Sequence, residues 1–172
     1  MITIREGGLT FDFPDTWTAS SFDRWSYYIN QFSKTGGQGR QGVKAVDILA
    51  LDPDRTAWFI EVKDYRRHRR TKPIDLADEV SKKVFDTLAA LLPAGIWAAE
   101  EEEKRTARDM LKARGLRVVL HLEQPRHPSK LFPRSFDPSV VLMKLRHHLK
   151  AIDPHPIVMD TDRQGPVKWR VS

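Results

Sequence analysis

Asp47-Ile48-Leu49-Ala50-Leu51-Asp52, followed after a short break by Trp58-Phe59-Ile60-Glu61-Val62-Lys63, decides how this chain is read. Both runs are apolar enough for buried strands, yet each carries charge. Side chains alternate between the faces of a strand, so Glu61 and Lys63 share one face and Val62 takes the other. Charged groups on a mostly buried strand are costly to desolvate unless a partner holds them, and a metal ion or a nucleic-acid phosphate is such a partner. The intervening Asp52-Pro53-Asp54-Arg55-Thr56 has turn composition. The spacing therefore predicts an antiparallel hairpin, with strands at about 43–51 and 57–63.

Outward from the hairpin, Leu9–Phe13 alternates as a short strand. Ser20 or Ser21 is placed to cap a helix to about Phe32, with Phe22, Trp25, Tyr28, Ile29 and Phe32 at helical spacing. Gly36–Gly42 lacks the Lys-Ser/Thr of a phosphate-binding loop and reads as a hinge or lid. After the hairpin a helix is predicted over 74–92, with Ala77, Val80, Val84, Leu88 and Leu91 as its buried stripe. A short strand is expected at 95–99. Glu100–Glu103 then opens a helix whose first-turn acids suit the macrodipole, and Gly115 is placed to end it in a left-handed conformation. A further strand is expected at 116–122, an irregular stretch at 124–138 and a helix at 139–150. The tail segments 157–159 and 167–171 suggest a terminal hairpin. The order gives an α/β sandwich with a mixed sheet. The expected organisation is a single domain, 1–172, with a core at about 20–122 and the C-terminal helix and hairpin at 138–172.

The 172 residues include no cysteine, which excludes disulfides, thiolate zinc sites and thiol nucleophiles. No run has the length of a membrane span and the first residues do not open a secretory signal, so no membrane partner and a cytoplasmic location are expected. The net charge of +6 favours a polyanionic partner, nucleic acid first. Much of the excess follows the charged strand: Lys63, Arg66, Arg67, Arg69, Arg70 and Lys72, against Asp64. Arg66, Arg67, Arg69, Arg70 and Lys72 are candidates for phosphate contact, together with Tyr65, Gln41 and Lys44. A solvated loop is the plainer reading of the same run. His147 and His148 are adjacent on a helix, so their side chains diverge by about 100° and make a poor metal pair, and the histidines at 68, 127 and 155 read as surface residues.

Two carboxylates on paired strands are the right donors for a hard divalent cation, and a lysine two residues along the same face is placed to assist an attacking water. This pattern, Val46-Asp47 and then Glu61-Val62-Lys63 across a hairpin, resembles the PD-(D/E)XK nuclease superfamily. The resemblance spans about Phe22 to Leu122, with valine where the family name has proline. It implies a restriction endonuclease-like αβββαβ fold. It further implies a metal-dependent endonuclease or exonuclease hydrolysing phosphodiester bonds, most naturally in DNA. In that reading Asp47, Glu61 and the Val62 carbonyl bind Mg2+ or Mn2+, and Lys63 is catalytic. A fourth acid is sought at Asp23, with Asp15 and Glu6 behind it, or at Glu79. A homodimer would suit cleavage of both strands. The alternative is a non-catalytic nucleic-acid-binding module on the same scaffold; a third reading has Lys63 simply pairing with Glu61 or Asp47.

Overall fold

A computed structural model of the protein describes residues 1–35, 42–131 and 133–172. The proposed hinge or lid and Gln41 lie outside these, apart from Gly42. The fold is mixed α/β. Five strands form the main sheet: β3 (Thr18–Ser21), β4 (Ile48–Leu51), β5 (Thr56–Asp64), β6 (Gly115–Glu123) and β7 (Ile157–Met159), in that spatial order. The β3–β4 and β4–β5 pairs are antiparallel, whereas β5–β6 and β6–β7 are parallel. A smaller antiparallel sheet joins β1 (Ile2–Glu6), β2 (Leu9–Phe13) and β8 (Arg170–Val171).

The β4–β5 hairpin turns as its sequence requires. Asp52 Oδ1 accepts from the Thr56 amide at 2.8 Å and its Oδ2 from Trp58 Nε1 at 3.1 Å, while Arg55 takes a left-handed φ of 63°. Ile48 pairs with Ile60, and the ladder stops there. The predicted strand at 43–51 is therefore short. The Lys44 and Val46 amides donate instead to Asp86 and Thr87 of α2 (Leu76–Trp97), at 2.8 and 3.0 Å. These bonds tie the approach to the hairpin onto a helix.

Strand alternation sends β5 to two layers. Trp58, Ile60 and Val62 pack with Phe11, Phe13, Trp17 and Trp169 under the smaller sheet. Ala57 and Phe59 pack with Val80, Val84 and Leu91 of α2. Glu61 and Lys63 continue that second face, beneath the helices. Also in the helical layer are α3 (Glu101–Met110) and α4 (Pro138–His148). No helix among the described residues is long and apolar enough to cross a membrane.

Several local expectations are corrected. Ser20 and Ser21 belong to β3, and the aromatic stretch after them breaks into a 3-10 turn (Phe22–Arg24), a one-turn α1 (Ser26–Asn30) and a second 3-10 turn (Phe32–Lys34). The Glu103 carboxylate holds the start of α1 by accepting the Ser26 and Tyr27 amides at 2.6 and 3.1 Å. Residues 95–97 form the last turn of α2 rather than a strand. Gly95 lets α3 approach closely, with its carbonyl accepting from Arg108 Nε at 2.7 Å. Gly115 opens β6 instead of ending a helix in the left-handed region. The tail is no hairpin: β7 joins β6 and β8 joins β2, in different sheets.

Candidate functional site

The site forms where the charged face of β5 meets α2. In the β4–β5 register Asp47 falls opposite Glu61, one position beyond the last paired residue, so both carboxylates point to the helical side. Glu61 and Lys63 are separated by about 6.6 Å along a strand, and residues four apart on a helix by about 6 Å. Glu79 and Lys83 on α2 therefore match them in spacing, and the opposed chain directions pair unlike charges. Lys83 Nζ lies 2.6 Å from Glu61 Oε1 and 3.4 Å from Asp47 Oδ1. Lys63 Nζ lies 2.8 Å from Glu61 Oε1 and 3.1 Å from Glu79 Oε1. Glu79 also holds Lys72, with Nζ at 2.7 Å from Oε1, and Arg70, whose Nη2 makes an ion contact at 2.6 Å with Oε2. The second Asp47 oxygen accepts the Val62 amide at 2.7 Å. Val62 thus contributes its N–H here.

Glu61 is fully buried. Desolvation, reinforced by Asp47, raises its pKa to about 7 against the opposing pull of Lys83 and Lys63. Burial works against the Lys63 ammonium, but Glu61 and Glu79 outweigh it and hold its pKa above that of an ordinary lysine. For Glu79 the burial penalty is overcome by Lys72, Lys63 and Arg70, and its pKa drops to about 2.

The fourth-acid candidates separate. Glu79 is the anion of a cationic cluster. Asp23 joins Glu6 and Asp47, with carboxylate oxygens of all three within 4.8 Å of one another. Burial, then Asp47 and Glu6, raise the Asp23 pKa to about 6. Asp15 is exposed and pairs with the chain's amino terminus. A cavity of about 480 Å³ opens beside the cluster, with Asp23, Asp47, Glu79, Lys83 and Lys44 on its walls. Lys83 is the residue that sequence reasoning missed. Its signal was a lysine four residues after Glu79 on the predicted helix.

Donor chemistry at Asp47 and Glu61 suits a hard cation, but Lys83 bridges the two carboxylates and Lys63 shares Glu61 Oε1. As the chain stands, these residues do not fit the expected Mg2+ or Mn2+ between them.

The basic run is also largely committed. Arg66 makes a double contact to Asp64, with Nε–Oδ1 at 2.9 Å and Nη2–Oδ2 at 2.6 Å. Arg69 donates to the Lys130 carbonyl at 2.8 Å. Arg70 donates to the Tyr65 hydroxyl at 2.9 Å and the Ile74 carbonyl at 2.8 Å, and the Tyr65 ring packs on Phe136. The side chains of Arg70 and Tyr65, expected at phosphate, brace the loop from within. Lys44 and Arg67 remain exposed, Arg67 beside Gly7, Gly8 and His68 in a second cavity of about 680 Å³.

No protein-family model and no solved structure matches the chain. It is similar to a cysteine–tRNA ligase of Neisseria meningitidis, at 32 % identity over 163 residues covering 80 % of this chain. The chain spans 23 % of that relative's length. This relative overturns the expectation of a metal-dependent nuclease, whether endonuclease or exonuclease, because it is a tRNA ligase and not a phosphodiester hydrolase. The closed ion pairs supply the physical reason for the misreading: strand charges that resemble a metal-and-lysine set are satisfied by α2. DNA as the target and a homodimer gain no support from the relative.

Proposed function

We propose that this chain is a non-catalytic nucleic-acid-binding module whose ligand is tRNA and whose setting is cysteine–tRNA ligation. The observation that carries this reading is the similarity of most of the chain to part of a cysteine–tRNA ligase. The net charge of +6 supports it, since neutralising phosphates releases counterions and favours a basic surface. The ion pairs support the non-catalytic part: Asp47, Glu61 and Glu79 are all engaged by lysine or arginine. In this reading the scaffold is restriction endonuclease-like, with β4, β5, α2 and β6 as its core. The α2 crossover between the parallel strands β5 and β6 supports that assignment.

The RNA surface is the basic edge around the two cavities. Arg67 and Lys44 are exposed, as are Arg66, Arg69 and Lys72; Lys44 and Lys72 line one cavity, and Arg66 and Arg67 the other. Fluorescence anisotropy with labelled tRNA tests this. Binding should weaken steeply with salt, and Arg67→Ala combined with Lys44→Ala should reduce the salt slope by about 2, one for each phosphate no longer neutralised. The tRNA should remain intact throughout, as read on a denaturing gel. Absence of tRNA binding at low salt, or equal binding to duplex DNA of matched length, would reject the proposal.

A further inference from the structure

Asp47 and Glu61 converge from two strands on a point that α2 fills with an ammonium group. Lys83 Nζ touches both acids. Beyond that contact, the Glu61 Oε2 and Asp23 Oδ1 atoms are buried and lack a hydrogen-bond partner among the described residues. Glu61 itself has no exposed surface. The site thus retains unused oxygen donors around a cation that the chain supplies itself.

We propose that Lys83 is the resident cation of the Asp47–Glu61 site, standing where a divalent ion would otherwise be held, and that removing its charge turns the site into one for a hard divalent cation. Two adjacent acids in a desolvated site need a nearby positive charge to offset the repulsion of negative charge between them. Lys83 meets that need through a helix position fixed by Val80 and Val84, which are buried in the core on the same helix. The site oxygens are hard donors of the kind that Mg2+ and Mn2+ take. Lys63 does not substitute for Lys83: it reaches Glu61 Oε1 at 2.8 Å and Glu79 Oε1 at 3.1 Å, whereas Lys83 is the lysine that also pairs with Asp47.

The test is Mn2+ binding, read from the electron paramagnetic resonance signal of the free ion. Wild-type protein should show no saturable site. Lys83→Ala should bind one Mn2+ per chain at least about tenfold more tightly than wild type, since a unit charge a few ångströms away is removed. Adding Glu61→Gln should abolish that binding, and Lys83→Arg should behave as wild type. A saturable wild-type Mn2+ site that Asp47→Asn removes would overturn the proposal. So would a folded Lys83→Ala protein with no gain in affinity. If Lys83→Ala unfolds, Mn2+ must restore its circular dichroism spectrum, and failure to do so also overturns the proposal.

Discussion

Replacing Glu79 with alanine is expected to destabilise the protein by about 3–5 kcal/mol, the range for breaking a buried ion pair from one side. The carboxylate serves three cations. Two of them have little access to water: the Arg70 side chain is 7 % exposed and that of Lys63 14 %. Lys72 is well exposed and its pair adds little. Without Glu79, Lys63 keeps Glu61, but Arg70 keeps only neutral partners, the Tyr65 hydroxyl and the Ile74 carbonyl. Glu79 also sits in the first turn of α2, where a negative charge suits the helix dipole. Urea unfolding at neutral pH measures the loss, and Glu79→Gln separates charge from shape. A cost below about 1 kcal/mol would show that the cluster behaves as a surface ion-pair set.

The second large effect is a stability maximum on the acid side of neutrality. Glu61 and Asp23 have folded pKa values of about 7 and about 6, above their ordinary 4.5 and 3.8. Between the ordinary and the raised values the folded state holds protons that the unfolded state has released. Stability therefore falls as pH rises through roughly 4 to 7. Glu79 and Glu123 are shifted the other way, both to about 2. For Glu123 the burial penalty is outweighed by His121 Nε2, 2.9 Å from Oε1, and by the Thr161 amide and hydroxyl. Their stabilisation is present above about 4.5 and lost as pH falls toward 2. The melting temperature should thus peak near pH 4–5. The upper limb should be flattened by Glu61→Gln, which removes a contribution on the order of 3 kcal/mol. Scanning calorimetry from pH 2 to 8 reads both limbs, and a wild-type plateau between pH 5 and 8 would refute the Glu61 assignment.

Local rules carried the hairpin and α2. The hairpin was legible because Asp52–Thr56 encodes a turn chemically and the flanking runs are apolar. The α2 stripe was legible because its apolar spacing repeats at the helical period. The region after β3 was not, since Phe22, Trp25 and Tyr27 are buried by a chain that bends twice within a few residues. Helical spacing cannot register such bends. Residues 95–97 misled for a related reason. A short apolar run fits a strand or a helix end, and the choice fell to Arg108, which meets the Gly95 carbonyl.

Asp47, Glu61 and Lys63 lie together because strand alternation and an antiparallel hairpin are local rules. Strand alternation and turn chemistry, both written in the chain, put these charges on one face of a buried sheet in a basic α/β protein. What faces them depends on how α2 packs. The α2 crossover runs antiparallel to β5 and sets Lys83 against Glu61 and Glu79 against Lys63. That is a long-range pairing of unlike charges at matched rise: each element encodes its own charge spacing, and neither encodes its partner.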